Sequence, residues 1–198
     1  MDTKMKVILA SGSPRRREIL EQVGIVFEVK QSDVEEVATQ TEPQEVVKEL
    51  SYQKAWAVAG ECEGDVLVIG ADTIVAHGDA ILGKPRDDVH AKEMLQQLQG
   101  NSHHVYTGVT LVCKRNGQTE SVSFAEGTKV FIAPMDEGQM NAYLATGEHR
   151  DKAGAYAVQG RFAIYVQALD GDYYNVVGLP VSRLYRECLK MGINLLAN

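Results

Sequence analysis

Residues 7–20 read VILASGSPRRREIL. Three consecutive apolar residues, Val7, Ile8 and Leu9, predict a strand, and Ile19, Leu20 and Val23 share one face of a helix. Between them Ser13 stands at a natural N-cap position and Pro14 at a natural first helical position. A second strand is expected at 27–30, so the chain opens as strand, turn, helix, strand. The same reading puts Arg15, Arg16 and Arg17 in the first helical turn. The helix dipole is positive there and disfavours each cation by up to about 1 kcal/mol.

Working outward, the polar stretch 32–43 reads as a loop, and Pro43 opens a long helix to about Gly60. Residues 65–79 predict an apolar strand, a small-residue break at Gly70-Ala71, and a second short strand. His77-Gly78-Asp79 follows as a hairpin turn. An amphipathic helix is expected at 89–98, ended by Gly100. Two strands at 103–113 and 120–132 flank Asn116-Gly117, a strong hairpin signal. A helix is expected at 136–146, a strand at 162–169 and a last helix at 180–191, whereas 151–162 has no clear assignment. This order predicts an α/β class with a mixed central sheet flanked by helices.

The chain has 198 residues, 44% of them hydrophobic, and a formal net charge of −7. Its length fits one domain spanning 1–198, and its apolar content fits a packed core rather than disorder. The negative charge disfavours a nucleic-acid polymer as partner. No apolar run approaches the roughly 20 residues that span a membrane, and residues 1–6 lack a signal-like apolar region. Both features point to the cytoplasm. Cys62, Cys113 and Cys188 are odd in number and form no CxxC pair, which argues against a disulfide framework or zinc site.

Several short stretches could carry chemistry. Gly78 to Lys84 has the spacing of a P-loop, but Pro85 replaces the hydroxyl residue that holds magnesium and disfavours helix at Lys84. Lys84-Pro85 reads better as a rigid loop presenting one ammonium group. Asp72 follows an apolar strand, where it either caps a turn or holds a cation and orients water. Glu35-Glu36 is solvated surface or, with Asp72, part of a magnesium site. In the stretch 151–160, Lys152 adds a cation and Gln159 an amide suited to a base edge, although a structural loop fits equally well. His103 and His104 would point to opposite faces of a strand, so a joint metal site is not expected. Arg15, Arg16, Lys54, Lys84 and Lys152 with Glu36 and Asp72 are the components of a metal-assisted phosphoryl or nucleotidyl reaction.

At these residues the sequence resembles the Maf family of nucleoside triphosphate pyrophosphatases. The matches run in order through Ser11-Gly12-Ser13-Pro14-Arg15-Arg16, Glu35-Glu36, Lys54-Ala55, Gly70-Ala71-Asp72-Thr73 and Gly83-Lys84-Pro85. They continue through 151–156, Gln159-Gly160 and Gly178-Leu179-Pro180, covering nearly the whole chain. The resemblance implies a fold related to the inosine triphosphate pyrophosphatases, with two lobes around a cleft. It implies hydrolysis of a nucleoside triphosphate to monophosphate and pyrophosphate with a divalent metal, Mg or Mn, and suggests a homodimer. Asp72 matches the family's catalytic acidic residue, and Ser11, Arg16, Glu36, Lys54 and Lys84 match positions important for activity. Arg15, Thr73 and Gln159 match the branch acting on dTTP and UTP. The branch preferring 7-methylguanosine triphosphate has an aromatic residue, Gln and Glu at those places. A rival role is a nucleotide-binding regulator of cell division without turnover. Gln53 departs from the pattern, since many relatives carry Glu there. On this reading a triphosphate would attract both the helix N-terminus and its arginines. Arg16 is then expected on phosphate, Arg15 in selection and Arg17 in solvent.

Overall fold

Hydrophobic runs and turn signals set the local elements. The computed structural model describes residues 5–31 and 33–197; residues 1–4 of the polar opening segment, Ser32 of the expected 32–43 loop and Asn198 lie outside the described residues. The opening unit is β1 (Lys6–Leu9), α1 (Pro14–Gln22) and β2 (Glu28–Val29). Ser13 occupies the N-cap of α1, but its hydroxyl makes no cap bond. Then come α2 (Pro43–Gly60), β3 (Val66–His77), β4 (Ala80–Leu82), α3 (Asp88–Leu98), β5 (Ser102–Arg115) and β6 (Gln118–Ile132). The chain ends with α4 (Glu137–Leu144), β7 (Val166–Asp170), α5 (Tyr173–Val177) and α6 (Val181–Lys190).

The strands form one mixed sheet in the order β2-β1-β3-β5-β6-β7, with β4 also paired to β3. β1 runs parallel to β2 and β3, with Val7 opposite Leu67, whereas β4 and β7 are antiparallel additions. The hairpin expected at Asn116-Gly117 forms, with positive φ at both residues (52° and 76°), as a type I′ turn requires.

Two compact units divide the chain. Unit 1 comprises Met1–Asp72, Thr107–Glu126 and Gly178–Asn198; unit 2 comprises Thr73–Tyr106 and Gly127–Val177. In unit 1, Ile8, Val68 and Val112 of the sheet pack against Ala55, Val58 and Ala59 of α2. In unit 2, Leu95 and Leu98 of α3 share a core with Val105, Val130, Tyr143 and Phe162.

Two expectations need correction. The small-residue break within 65–79 does not exist, because β3 runs unbroken through Gly70, Ala71 and Asp72. Gly70 is small because a Cβ there would stand 2.5 Å from the Ser51 carbonyl oxygen and 2.8 Å from the Ala55 Cβ. It marks the close approach of α2, not a turn. The strand expected at 162–169 starts only at Val166, preceded by a 3₁₀ turn over Arg161–Tyr165. Phe162 is buried among Tyr143, Tyr156 and Tyr165, and that packing replaces strand alternation. The unassigned stretch 151–162 resolves into short 3₁₀ turns interrupted by positive φ at Gly154 and Gly160.

Candidate active site

The close contact of α2 with β3 at Gly70 decides the geometry of unit 1. Lys54 precedes Ala55 on the helix, and Asp72 follows Gly70 by two residues, hence on the same face of the strand. Lys54 Nζ donates to Asp72 Oδ1 at 2.6 Å and meets Glu36 Oε2 at 3.0 Å. Lys54 and Asp72 are only 15% and 14% exposed, so water screens this pair less than a surface pair.

Glu36 reaches Lys54 because its loop is tied to α2. The Gln53 amide accepts from Val37 N at 3.1 Å and donates to the Val37 carbonyl at 2.7 Å. A glutamate at 53 could only accept, so the departure at Gln53 has a local structural use.

At the start of α1, Ser11 Oγ accepts from Ser13 N at 3.3 Å and from Arg16 Nη1 at 2.9 Å. Arg16 Nε donates to the Gly178 carbonyl at 2.8 Å, which fastens the turn to a distant part of unit 1. Burial lowers the Arg16 pKa, while the charges of Asp72 and Glu36 raise it and that of Arg15 lowers it. An arginine starts so high that it remains a cation. Arg15 is half-buried and Arg17 exposed. Unit 1 thus holds two bonded sets, Ser11 with Arg16 and Lys54 with Asp72 and Glu36, and the Asp72 and Glu36 charges are felt at Arg16.

The donor chemistry fits a hard divalent cation. Two carboxylate oxygens converge on the Lys54 ammonium, and Mg²⁺ characteristically takes one or two carboxylates with phosphate and water completing its shell. Among the described residues no group of three or more His, Cys, Asp or Glu side chains could hold a metal. Glu36 and Asp72 are the two carboxylates that could hold such a cation there.

Unit 2 carries Thr73, Lys84, Lys152 and Gln159. Thr73 is half-buried on β3, and Lys84 is exposed between β4 and α3 with no helix beginning at it, unlike a P-loop lysine. Gly154 N donates to the Gly83 carbonyl at 3.1 Å, which joins the Lys84 loop to the segment holding Lys152. Lys152 is ion-paired with Asp151, and Gln159 is exposed. Tyr156 OH and His103 Nε2 share a buried 2.7 Å hydrogen bond that anchors the same segment. Burial, with the nearby His77 and His104, pushes the His103 pKa down to about 4. His103 is buried and His104 exposed, as their opposite faces predict.

Three supports escaped the sequence reading: the Gly178 carbonyl, the His103–Tyr156 bond, and Glu148, whose Oε2 accepts the Arg161 backbone N–H at 2.9 Å. A backbone carbonyl has no sequence signal. The neighbouring Gly154 and Gly160 were the only pointers to the other two.

The family profile described as Maf-like protein matches residues 6–191. A Lachnoclostridium phytofermentans protein named dTTP/UTP pyrophosphatase is 51% identical over 96% of this chain and 97% of its own. Proteins of the same name from Agathobacter rectalis and Bacillus thuringiensis subsp. konkukian are 47% and 49% identical over 96% of this chain, and over 99% and 97% of their own. The solved Staphylococcus aureus Ham1 protein aligns over 94% of this chain and 99% of its own, at 14% identity and a TM-score of 0.49. A likeness that low bears on neither fold nor activity.

Proposed function

The chain belongs to the Maf-like protein family, and from that premise we propose that it hydrolyses dTTP and UTP to the monophosphate and pyrophosphate. One observation carries the reading: Lys54 holds the Asp72 and Glu36 carboxylates at a single point within unit 1. The names of relatives sharing about half its residues support the substrate class.

Asp72 orients the attacking water and accepts its proton. Lys54, beside it, fixes the carboxylate's direction and offsets charge on the phosphates. Arg16, held by Ser11 and the Gly178 carbonyl, supplies fixed positive potential at the start of α1. Lys84 and Lys152, both of unit 2, are assigned to substrate binding as cations. A magnesium or manganese ion, when held by Glu36 and Asp72, would supply charge neutralisation and a more acidic water. Arg15, Thr73 and Gln159 select the base. The Gln159 amide can both donate and accept, which matches the O4 and N3–H edge of uracil or thymine.

The test is a panel of nucleoside triphosphates with magnesium or manganese, scored for pyrophosphate. Turnover of dTTP and UTP is expected, with Asp72→Asn reducing it about 10²–10⁴-fold, the usual contribution of a positioned base. Orthophosphate as the first product, or nucleotide binding without turnover, would reject the assignment. A purine triphosphate as the only substrate would reject the specificity.

A further inference from the structure

Gly160 follows Gln159 with φ 149° and ψ −159°, a conformation that L side chains rarely adopt. The space beside it is also filled. A Cβ on Gly160 would stand 2.6–2.7 Å from both carboxylate oxygens and the Cδ of Glu148. Glu148 is itself held on both oxygens. Oε2 accepts the Arg161 backbone N–H at 2.9 Å, and Oε1 accepts the Tyr143 hydroxyl at 3.3 Å.

Tyr143 is a firm support. Its ring is buried and meets Phe162 edge-on at 4.9 Å, and Phe162 also packs on Tyr156 at 4.9 Å. Burial and the Glu148 charge push the Tyr143 phenol well above its ordinary pKa, so it keeps the proton it donates. On the other side, Glu148 N donates to Thr146 Oγ1 at 3.2 Å, just after the left-handed turn at Gly147. The carboxylate is thus fixed from α4 and pressed against the backbone at 160–161.

We propose that Glu148 is a positioning residue for base selection: its carboxylate clamps Gly160 and Arg161 and so fixes the direction in which Gln159 is presented to the nucleotide base. The inference rests on the role given to Gln159 above. A carboxylate suits the clamp because the Arg161 N–H and the Tyr143 hydroxyl both donate to it and it only accepts. A glutamine at 148 could accept from one donor but would turn its own NH₂ toward the other. An alanine would accept from neither. Gly160 then serves to admit the clamp rather than to give flexibility.

The experiment compares wild type with Glu148→Gln, Glu148→Ala, Gln159→Ala, the double variant Glu148→Ala/Gln159→Ala, and Tyr143→Phe. The readouts are KM and kcat for UTP, the UTP-over-GTP ratio of kcat/KM, and hydrogen exchange at the Arg161 amide. Glu148→Ala is expected to raise the KM for UTP about tenfold with kcat within about twofold, and Glu148→Gln to raise it less. Both should narrow the UTP preference and speed exchange at Arg161. The double variant should be no worse than the poorer single variant, because both losses act through one side chain. Tyr143→Phe removes one of the two donors that hold the carboxylate but leaves the Arg161 bond and the Gly160 contact, so it should narrow the preference less than Glu148→Ala.

Multiplying losses in the double variant would overturn the proposal. So would an unchanged KM and preference in a folded Glu148→Ala, or a larger loss in Tyr143→Phe than in Glu148→Ala. Should Glu148→Ala not fold, Glu148→Gln decides by the same criteria. If Gln159→Ala is silent while Glu148→Ala is not, the clamp does not work through Gln159 and the proposal fails, with the activity itself intact. Absence of UTP turnover in wild type would instead refute the assigned function. The Arg161 exchange rate in Glu148→Gln then judges the clamp alone.

Discussion

Three arginines begin one helix, and each has a different environment. Arg16 is buried and fastened to Ser11 and Gly178, Arg15 is half-buried, and Arg17 is exposed. Arg16 therefore has a structural duty besides the phosphate contact expected from the sequence. A lysine cannot reproduce its fork of donors. Arg16→Lys is expected to lower stability by about 2 kcal/mol, the scale of a lost charged hydrogen bond, and to reduce turnover together with it. Arg17→Ala is expected to leave both unchanged. Thermal melts and pyrophosphate release on the same preparations check this, and equal losses at 16 and 17 would contradict it. The charge run identified the region, but only burial separates its members.

Elements with a strong local signature were readable from residues alone. The hairpin at Asn116-Gly117, the opening at Pro14 and the long helix from Pro43 all form. The misreadings arose where a small or aromatic residue answers to a neighbour distant in sequence. Gly70 looked like a break because only Ser51 and Ala55 explain it. Gly108 on β5 is a stricter case, since a Cβ there would stand 2.1 Å from the Val47 carbonyl oxygen and 2.7 Å from Lys48 N. Those are backbone atoms of α2, which cannot turn aside as a side chain can. Gly108→Ala is expected to cost about 3 kcal/mol or more by forcing the helix off the strand. Urea unfolding measures it, and a change below 1 kcal/mol would show that α2 is more yielding than its contacts indicate.

Stability of the folded chain should also depend on pH through His103. Folded His103 has a pKa of about 4, against about 6.5 for the unfolded residue. Between those values the unfolded chain binds a proton that the folded one refuses. Stability from this group is therefore full above about pH 6.5, falls as pH drops toward 4, and levels off below. The total is on the order of 3 kcal/mol. His103→Gln can still hydrogen-bond Tyr156 but cannot titrate, so its urea midpoint should fall less than that of wild type between pH 7 and 4.5. Parallel curves would remove His103 from the account.

The sequence by itself determined the α/β class, most element positions, the family and the cast of charged residues. Those follow from periodicity, turn chemistry and short motifs, which are local properties of the chain. Only the tertiary structure decided that Lys54 joins Asp72 to Glu36, that Arg16 leans on a backbone carbonyl, and that Glu148 fills the space beside Gly160. Each of these depends on a distance between segments separated in the chain. Such distances are set by how closely helices and strands pack, and here glycines at the contacts set that closeness.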